Sequence, residues 1–451
     1  MASSSDSRTA SNGAVRPFRV DFTPDEIASL RSRLRDARLS PTSILPEDNF
    51  RQDRGLFPTP AFLQKYRDMW TTSFDFDALQ ARLNAQPQYL VDIDWCTPLH
   101  FIHRPSSRPD AIPLMLIHGW PGNAFEFGHV LDRLAEPEDS SAPAFHVVAP
   151  SLPGFLWSKG PPTRKAGTGD VEGYCKILDS LMVDVLGYKS YAAQGGDWGS
   201  IHARLLGVKF ARADGTGCRA VHLNFCPSPP WGAATLAALM PEWLTTSLIA
   251  WLPNEARKSL LKMKNFSENM AYYWIQQISP SQLGAAVSDS AVGLLAWLGY
   301  FYGPTLGRTP TLSEESMLSV CSLYWFTQSI ATSFLPYHNN RNLLELHTAS
   351  QNYLRVPFGY TDFPFEIANT SEGAARRTGD LTFYSRATRG GHFAALEEPE
   401  VFVNHLRLAF SPRGKADKAS ANEEQQGFVK QATVARGGLW DAERRKSSSR
   451  L

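Results

Sequence analysis

A chain of 451 residues, 43% of them apolar, is long enough to bury a large core. A formal net charge of +1 excludes an electrostatic interest in nucleic acid, and the Ser-rich, polar start lacks the apolar run of a signal peptide or membrane anchor. The cysteines Cys96, Cys175, Cys218, Cys226 and Cys321 are scattered, odd in number and without a Cys-x-x-Cys pair, as expected of a reducing compartment.

Thr23-Pro24-Asp25-Glu26 has the form of a capping box with proline in the first turn, and Ile27, Leu30 and Leu34 follow at helical spacing. Trp70, Phe74, Phe76, Leu79 and Leu83 continue an aromatic-rich segment to about Gln86, and Tyr89 to His103 predicts two strands that begin a sheet. Ala111 to Ile117 is the mostly apolar run of a strand buried on both faces, and it empties into His118-Gly119-Trp120-Pro121-Gly122. A glycine-containing loop at the end of a central strand can aim backbone N–H groups at a developing oxyanion, and the amides of Trp120 and Trp198 are assigned that task. His118 has no second His, Cys or carboxylate at ligand spacing, so it reads as a loop brace and no metal site is expected.

The run Gly195-Gly196-Asp197-Trp198-Gly199 has the form of a nucleophile elbow with aspartate at its tip. Ser190 to Ala193 predicts the short buried strand before it and Ser200 to Leu206 the helix after it. A carboxylate there needs no base to ionise it and can attack an electrophilic carbon directly, leaving an ester that water must cleave. Leu381 to Ser385 predicts a late strand, left by the loop Arg389-Gly390-Gly391-His392-Phe393 and followed by a helix from Glu398 with Pro399 in its first turn. A histidine in that place, after an elbow earlier in the chain, is the candidate base, His392. Its orienting carboxylate should lie on a loop between elbow and histidine. Asp362 and Glu366 both follow the strand-like Tyr353 to Pro357, while Asp380, just before the late strand, suits a turn cap. Composition does not choose between Asp362 and Glu366.

Together His118-Gly119-Trp120-Pro121, Gly196-Asp197-Trp198-Gly199, Phe363-Pro364-Phe365-Glu366 and Gly390-Gly391-His392-Phe393 resemble the microsomal-type epoxide hydrolases, soluble fungal members included, from about Pro17 to Phe410. The resemblance implies an α/β-hydrolase fold with a mostly parallel central sheet, an inserted helical lid and an N-terminal wrapping extension. The expected division is a disordered start and wrapping region over 1–100, a first core part over 101–226, a helical cap over 227–350 and a second core part over 351–410. The stretch 411–451, rich in Lys, Ala, Ser, Glu and Gln, is expected to be disordered. Apolar stretches between prolines, such as Trp243 to Leu252, predict cap helices. The resemblance also favours Glu366 as the acid and implies that Tyr272 and Tyr337 of the cap donate hydrogen bonds to an epoxide oxygen, with adjacent Tyr273 as packing.

The implied enzyme is an ether-bond hydrolase that needs no cofactor and turns an apolar epoxide and water into a vicinal diol through an ester on Asp197. A dehalogenase would share the aspartate elbow but needs halide-stabilising donors in place of the tyrosines, and a noncatalytic binding protein of the same fold would not need Asp197, Glu366 and His392. The chain ends Ser449-Arg450-Leu451, similar to a peroxisomal import address, so an import receptor and a peroxisomal location are expected, with the cytoplasm as the alternative. Detoxification and specialised metabolism are the roles expected, and a homodimer is left open.

Overall fold

The computed structural model describes residues 13–39, 58–160, 169–228, 270–302, 312–411 and 429–434, with 240, 257 and 261. The apolar run after Ala111 forms a central strand, and around it a sheet of 10 strands assembles. They are β1 (Arg16–Phe18), β2 (Gln88–Ile93), β3 (Cys96–Arg104), β4 (Ile112–Ile117), β5 (Phe145–Pro150), β6 (Ser190–Gly195), β7 (Gly217–Leu223), β8 (Leu354–Asp362), β9 (Gly379–Ala387) and β10 (Val429–Val434). Their order is β1-β2-β3-β5-β4-β6-β7-β8-β9-β10. Neighbours from β5 to β9 run parallel, and the pairs outside them run antiparallel.

A parallel sheet must be covered on both faces, and β4 serves both layers. Met115 and Ile117 belong to one cluster with Ile201 and Leu206, whereas Leu114 and Leu116 belong to another with Leu134, Val401 and Leu406. From β4 the chain steps to β5 on one side, and β6 is added on the other. The loops leaving β4 and β6 therefore face one crevice, where open α/β sheets place their sites.

Between β7 and β8 the helices Ala271–Ile278, Pro280–Asp289, Ala291–Tyr302, Glu314–Thr327, Leu335–Asn339 and Leu343–Thr348 lie over that crevice. Contacts fix this placement: Trp120 Nε1 donates to Ser333 Oγ at 3.0 Å, and Leu156 N donates to Ser329 Oγ at 3.1 Å. The N-terminal helices α1 (Pro24–Asp36), α2 (Pro60–Thr72) and α3 (Phe76–Asn84) brace the cap from outside. Thr23 and Glu26 make the reciprocal capping bonds. Trp70 Nε1 donates to buried Ser322 Oγ at 2.9 Å, Arg33 meets Asp289 at 3.1 Å, and Arg82 pairs with Glu315. No single helix among the described residues is long and apolar enough to cross a membrane, and Pro280–Asp289 with Ala291–Tyr302 reaches that length only as a pair bent by 116°.

The structure corrects three expectations. Val429–Val434 pairs antiparallel with β9 as an edge strand, inside the stretch 411–451 expected to be disordered, where the edge of β9 is otherwise open. β1 lies ahead of the two strands expected over Tyr89 to His103, which appear as β2 and β3, so the sheet begins inside the expected wrapping region 1–100. Asp380 is the second residue of β9 rather than a turn cap ahead of it. The cap segment Trp243 to Leu252 and the tripeptide Ser449-Arg450-Leu451 lie outside the described residues.

Candidate active site

Asp197 opens the helix Asp197–Lys209 directly after β6, with φ of +47°, the left-handed region that a nucleophile elbow imposes on its tip. The glycines around it are there for space. A Cβ on Gly199 would fall 1.9 Å from the carbonyl oxygen of Ile117, and one on Gly195 would fall 2.1 Å from that of Gly199. Parallel pairing sets Ile117 opposite Gly195, so the His118-Gly119-Trp120 loop leaves β4 level with the elbow. Trp120 N–H consequently donates to Asp197 Oδ1 at 2.7 Å, and a Cβ on Gly119 would lie only 2.3 Å from that oxygen.

His392 arrives by the same logic on the other side. Phe365 bridges to Gly391 in parallel register, and its N–H donates to Gly390 O at 3.1 Å, which ties the loop after β8 to the loop after β9. Glu366 is thereby held beside His392, with Oε1 at 2.6 Å from Nδ1, while His392 Nε2 stands 3.5 Å from Asp197 Oδ2. Burial by itself lowers the imidazole, but Glu366 and Asp197 outweigh it and hold His392 up at about 10.

The cap supplies an aromatic wall. Tyr272 stacks on Trp120 with ring centroids 6.0 Å apart, and Tyr337 meets the edges of Trp198 at 5.0 Å and of Trp120 at 5.8 Å. Burial first, and then the charge of Asp197, push both phenols well above their ordinary range, so they stay protonated donors. Tyr273 turns elsewhere: its hydroxyl donates to Arg341 O at 3.4 Å and accepts from Gln277 Nε2 at 3.0 Å.

The elbow aspartate, an imidazole backed by a second carboxylate and two phenols thus stand together beneath the cap. A family model described as "Epoxide hydrolase N terminus" matches residues 15–127, and one described as "alpha/beta hydrolase fold" matches residues 112–250. "Epoxide hydrolase 1" of Sus scrofa is 30% identical over 422 residues, covering 88% of this chain and 89% of that one. The chain belongs to the epoxide hydrolase family. The structure of Aspergillus niger epoxide hydrolase superposes with a TM-score of 0.74 at 32% identity, over 87% of this chain and 95% of that one. The juvenile hormone epoxide hydrolase of Bombyx mori, at 24% identity and a TM-score of 0.72, shares the fold over 87% of this chain and 93% of its own.

In this epoxide hydrolase Glu366, and not Asp362, reaches the histidine. Asp362 ends β8 and is turned to Arg386, 3.5 Å away, and to Asn369. His118 braces its loop: Nε2 accepts from Leu152 N–H at 3.0 Å, so Nδ1 carries the proton and donates to Gly119 O at 2.9 Å, and burial keeps the ring neutral, at about 4. Trp198 places its amide in the first turn of the helix Asp197–Lys209, where N–H groups lack intrahelical partners. Among the described residues no group of three or more His, Cys, Asp or Glu side chains could hold a metal ion. One ionisable group of the site escaped sequence reasoning. Glu126, in the short turn Ala124–Phe127, lines a small chamber with Asp197 and His392, and the signal available for it was an Asn-x-x-Glu capping box.

Proposed function

We propose that the diol forms in two steps through an ester on Asp197. Asp197 Oδ1 is engaged by the Trp120 amide, so Oδ2 is the attacking atom. As Oδ2 bonds to the less hindered ring carbon, the epoxide C–O bond breaks and the alkoxide takes a hydrogen bond and then a proton from Tyr272 or Tyr337. With the charge of Asp197 gone, the imidazolium of His392 returns a proton to the phenolate, and the neutral ring, oriented by Glu366, then removes a proton from water, whose oxygen adds to Cγ of Asp197. The negative charge that grows on Oδ1 is held by the Trp120 and Trp198 amides. Collapse of this intermediate breaks the bond from Cγ to the alkylated oxygen, the leaving alkoxide receives a proton from His392, a vicinal diol departs, and the acid proton left on Asp197 returns to His392, restoring the carboxylate and the imidazolium.

The observation that carries this reading is the line Glu366, His392, Asp197, at 2.6 and 3.5 Å, with an amide at 2.7 Å on the far carboxylate oxygen. Because Asp197 needs no base, His392→Gln should form the ester and fail to cleave it. Intact-mass analysis after exposure to an aryl epoxide should then show the protein plus one substrate, and a variant with neither adduct nor diol would refute this division of labour.

The Trp120, Tyr272, Phe301 and Tyr337 rings favour an apolar epoxide. We place the enzyme in the peroxisome through its terminal Ser449-Arg450-Leu451, which suits detoxification or specialised metabolism of such compounds.

A further inference from the structure

Glu126 is an acid beside the reacting groups that the two steps leave without a task. Asn123 N–H donates to its Oε2 at 3.3 Å, and a Cβ on Gly122 would fall 2.1 Å from that same oxygen, so a glycine there makes room for the carboxyl. Burial raises this group to about 8; the Asn123 amide and His392 oppose the rise, and the charge of Asp197 adds to it. At neutral pH the acid is therefore mostly protonated. Since Oε2 accepts from Asn123, the proton belongs on Oε1, which takes no hydrogen bond from a described residue.

Glu126, Asp197 and His392 together line a chamber of about 20 Å³, closed by Gly119, Gln194 and Asn224 among others. That is room for one water molecule, with enough polar partners to hold it. Neither Tyr272 nor Tyr337 lines the chamber, so it reaches Asp197 from another side than the phenols do.

We propose that this chamber seats the water that cleaves the Asp197 ester and that Glu126 positions it, a role that rests on the two-step reading above. The water oxygen receives a hydrogen bond from Glu126 Oε1–H through one lone pair, and its own O–H points to His392 Nε2. Its second lone pair is left for Cγ of Asp197. As the new O–C bond forms, the proton passes to His392, and Glu126 keeps its own.

The test separates the two steps in Glu126→Gln, Glu126→Leu and Gly122→Ala. Glutamine copies the neutral acid, an acceptor toward Asn123 and a donor toward the chamber, whereas leucine removes both; alanine at 122 pushes the carboxyl aside without deleting it. Ester formation and ester decay are followed in single turnovers by quenched-flow mass analysis with an aryl epoxide. Decay should slow about 10- to 100-fold in Glu126→Leu and Gly122→Ala, the scale of a misplaced reactant, with ester formation within about 3-fold of wild type. Glu126→Gln should decay within about 3-fold of wild type. Wild-type decay in both Glu126→Leu and Gly122→Ala, equal slowing of both steps, or a Glu126→Gln variant as slow as leucine would overturn the proposal. If leucine prevents folding, Gly122→Ala and Glu126→Gln decide. His392→Gln run in parallel separates the failures: no adduct there removes the two-step reading, while an adduct there with normal decay in Glu126→Leu and Gly122→Ala removes only the role of Glu126.

Discussion

Asp197→Asn replaces the nucleophile with a neutral group of equal size, which is also the charge state that Asp197 acquires on becoming an ester. In the resting enzyme His392 is held at about 10, against the effect of its own burial, by Glu366 and Asp197. Unit charges separated by the 3.5 Å between Nε2 and Oδ2 interact by about 5 kcal/mol at an effective dielectric constant of about 20, or roughly 3.5 pKa units. The amide dipole restores part of this, so His392 in the variant should titrate about 2 to 3 units lower, near pH 7 to 8, with Glu366 still on Nδ1 and Glu126 still nearby. The consequence for turnover is direct. Forming the ester removes the charge that holds the proton, and His392 becomes a competent base when water needs one. Nitrogen-15 NMR of the imidazoles, with His392→Gln to assign the signal, measures the shift. Stability supplies the sign. A raised imidazole pKa stabilises the wild type fully below its ordinary value of 6.5, and this contribution is lost as pH climbs through about 10. In Asp197→Asn the corresponding loss should fall at about pH 7 to 8 and be complete by about pH 9. A His392 signal that titrates at the same pH in both proteins would refute the reasoning.

Tyr272→Phe and Tyr337→Phe should each slow ester formation about 100-fold, as for a lost acid or oxyanion donor, and the double variant should be nearly inactive. Tyr273→Phe should leave ester formation within a few-fold, because that hydroxyl serves Arg341 and Gln277; rapid-quench kinetics on the three variants distinguishes these outcomes. Deleting Ser449-Arg450-Leu451 should move a fluorescent fusion from peroxisomes to the cytosol, and an unchanged distribution would remove the import assignment.

Asp197 and His392 were legible in the sequence because each stands among glycines whose spacing has a steric cause, visible at Gly195 and Gly199 as backbone contacts that no side chain could share. The choice of Glu366 over Asp362 was not legible from composition, since it depends on the register that joins Phe365 to Gly391 and on Arg386 drawing Asp362 away. The same holds for the cap, where helical rotation alone separates Tyr272 from Tyr273. Edge strands escaped for a different reason. Arg16–Phe18 is too short to show alternation, and Val429–Val434 sits in a polar context whose composition argues for disorder until the edge of β9 is known to be open. Glu126 was hidden because a capping box explains a glutamate sufficiently until the fold brings Asp197 and His392 to the same chamber.

The most direct test of the central claim is the fate of oxygen in a single turnover. Enzyme in excess over epoxide, in water enriched in oxygen-18, should release a first diol without label, because its new oxygen comes from Asp197 Oδ2 and the water oxygen stays behind in the carboxylate. The peptide containing Asp197 should be heavier by one label. A first diol carrying oxygen-18, with an unlabelled Asp197 peptide, would mean that water opens the ring directly and would contradict the account.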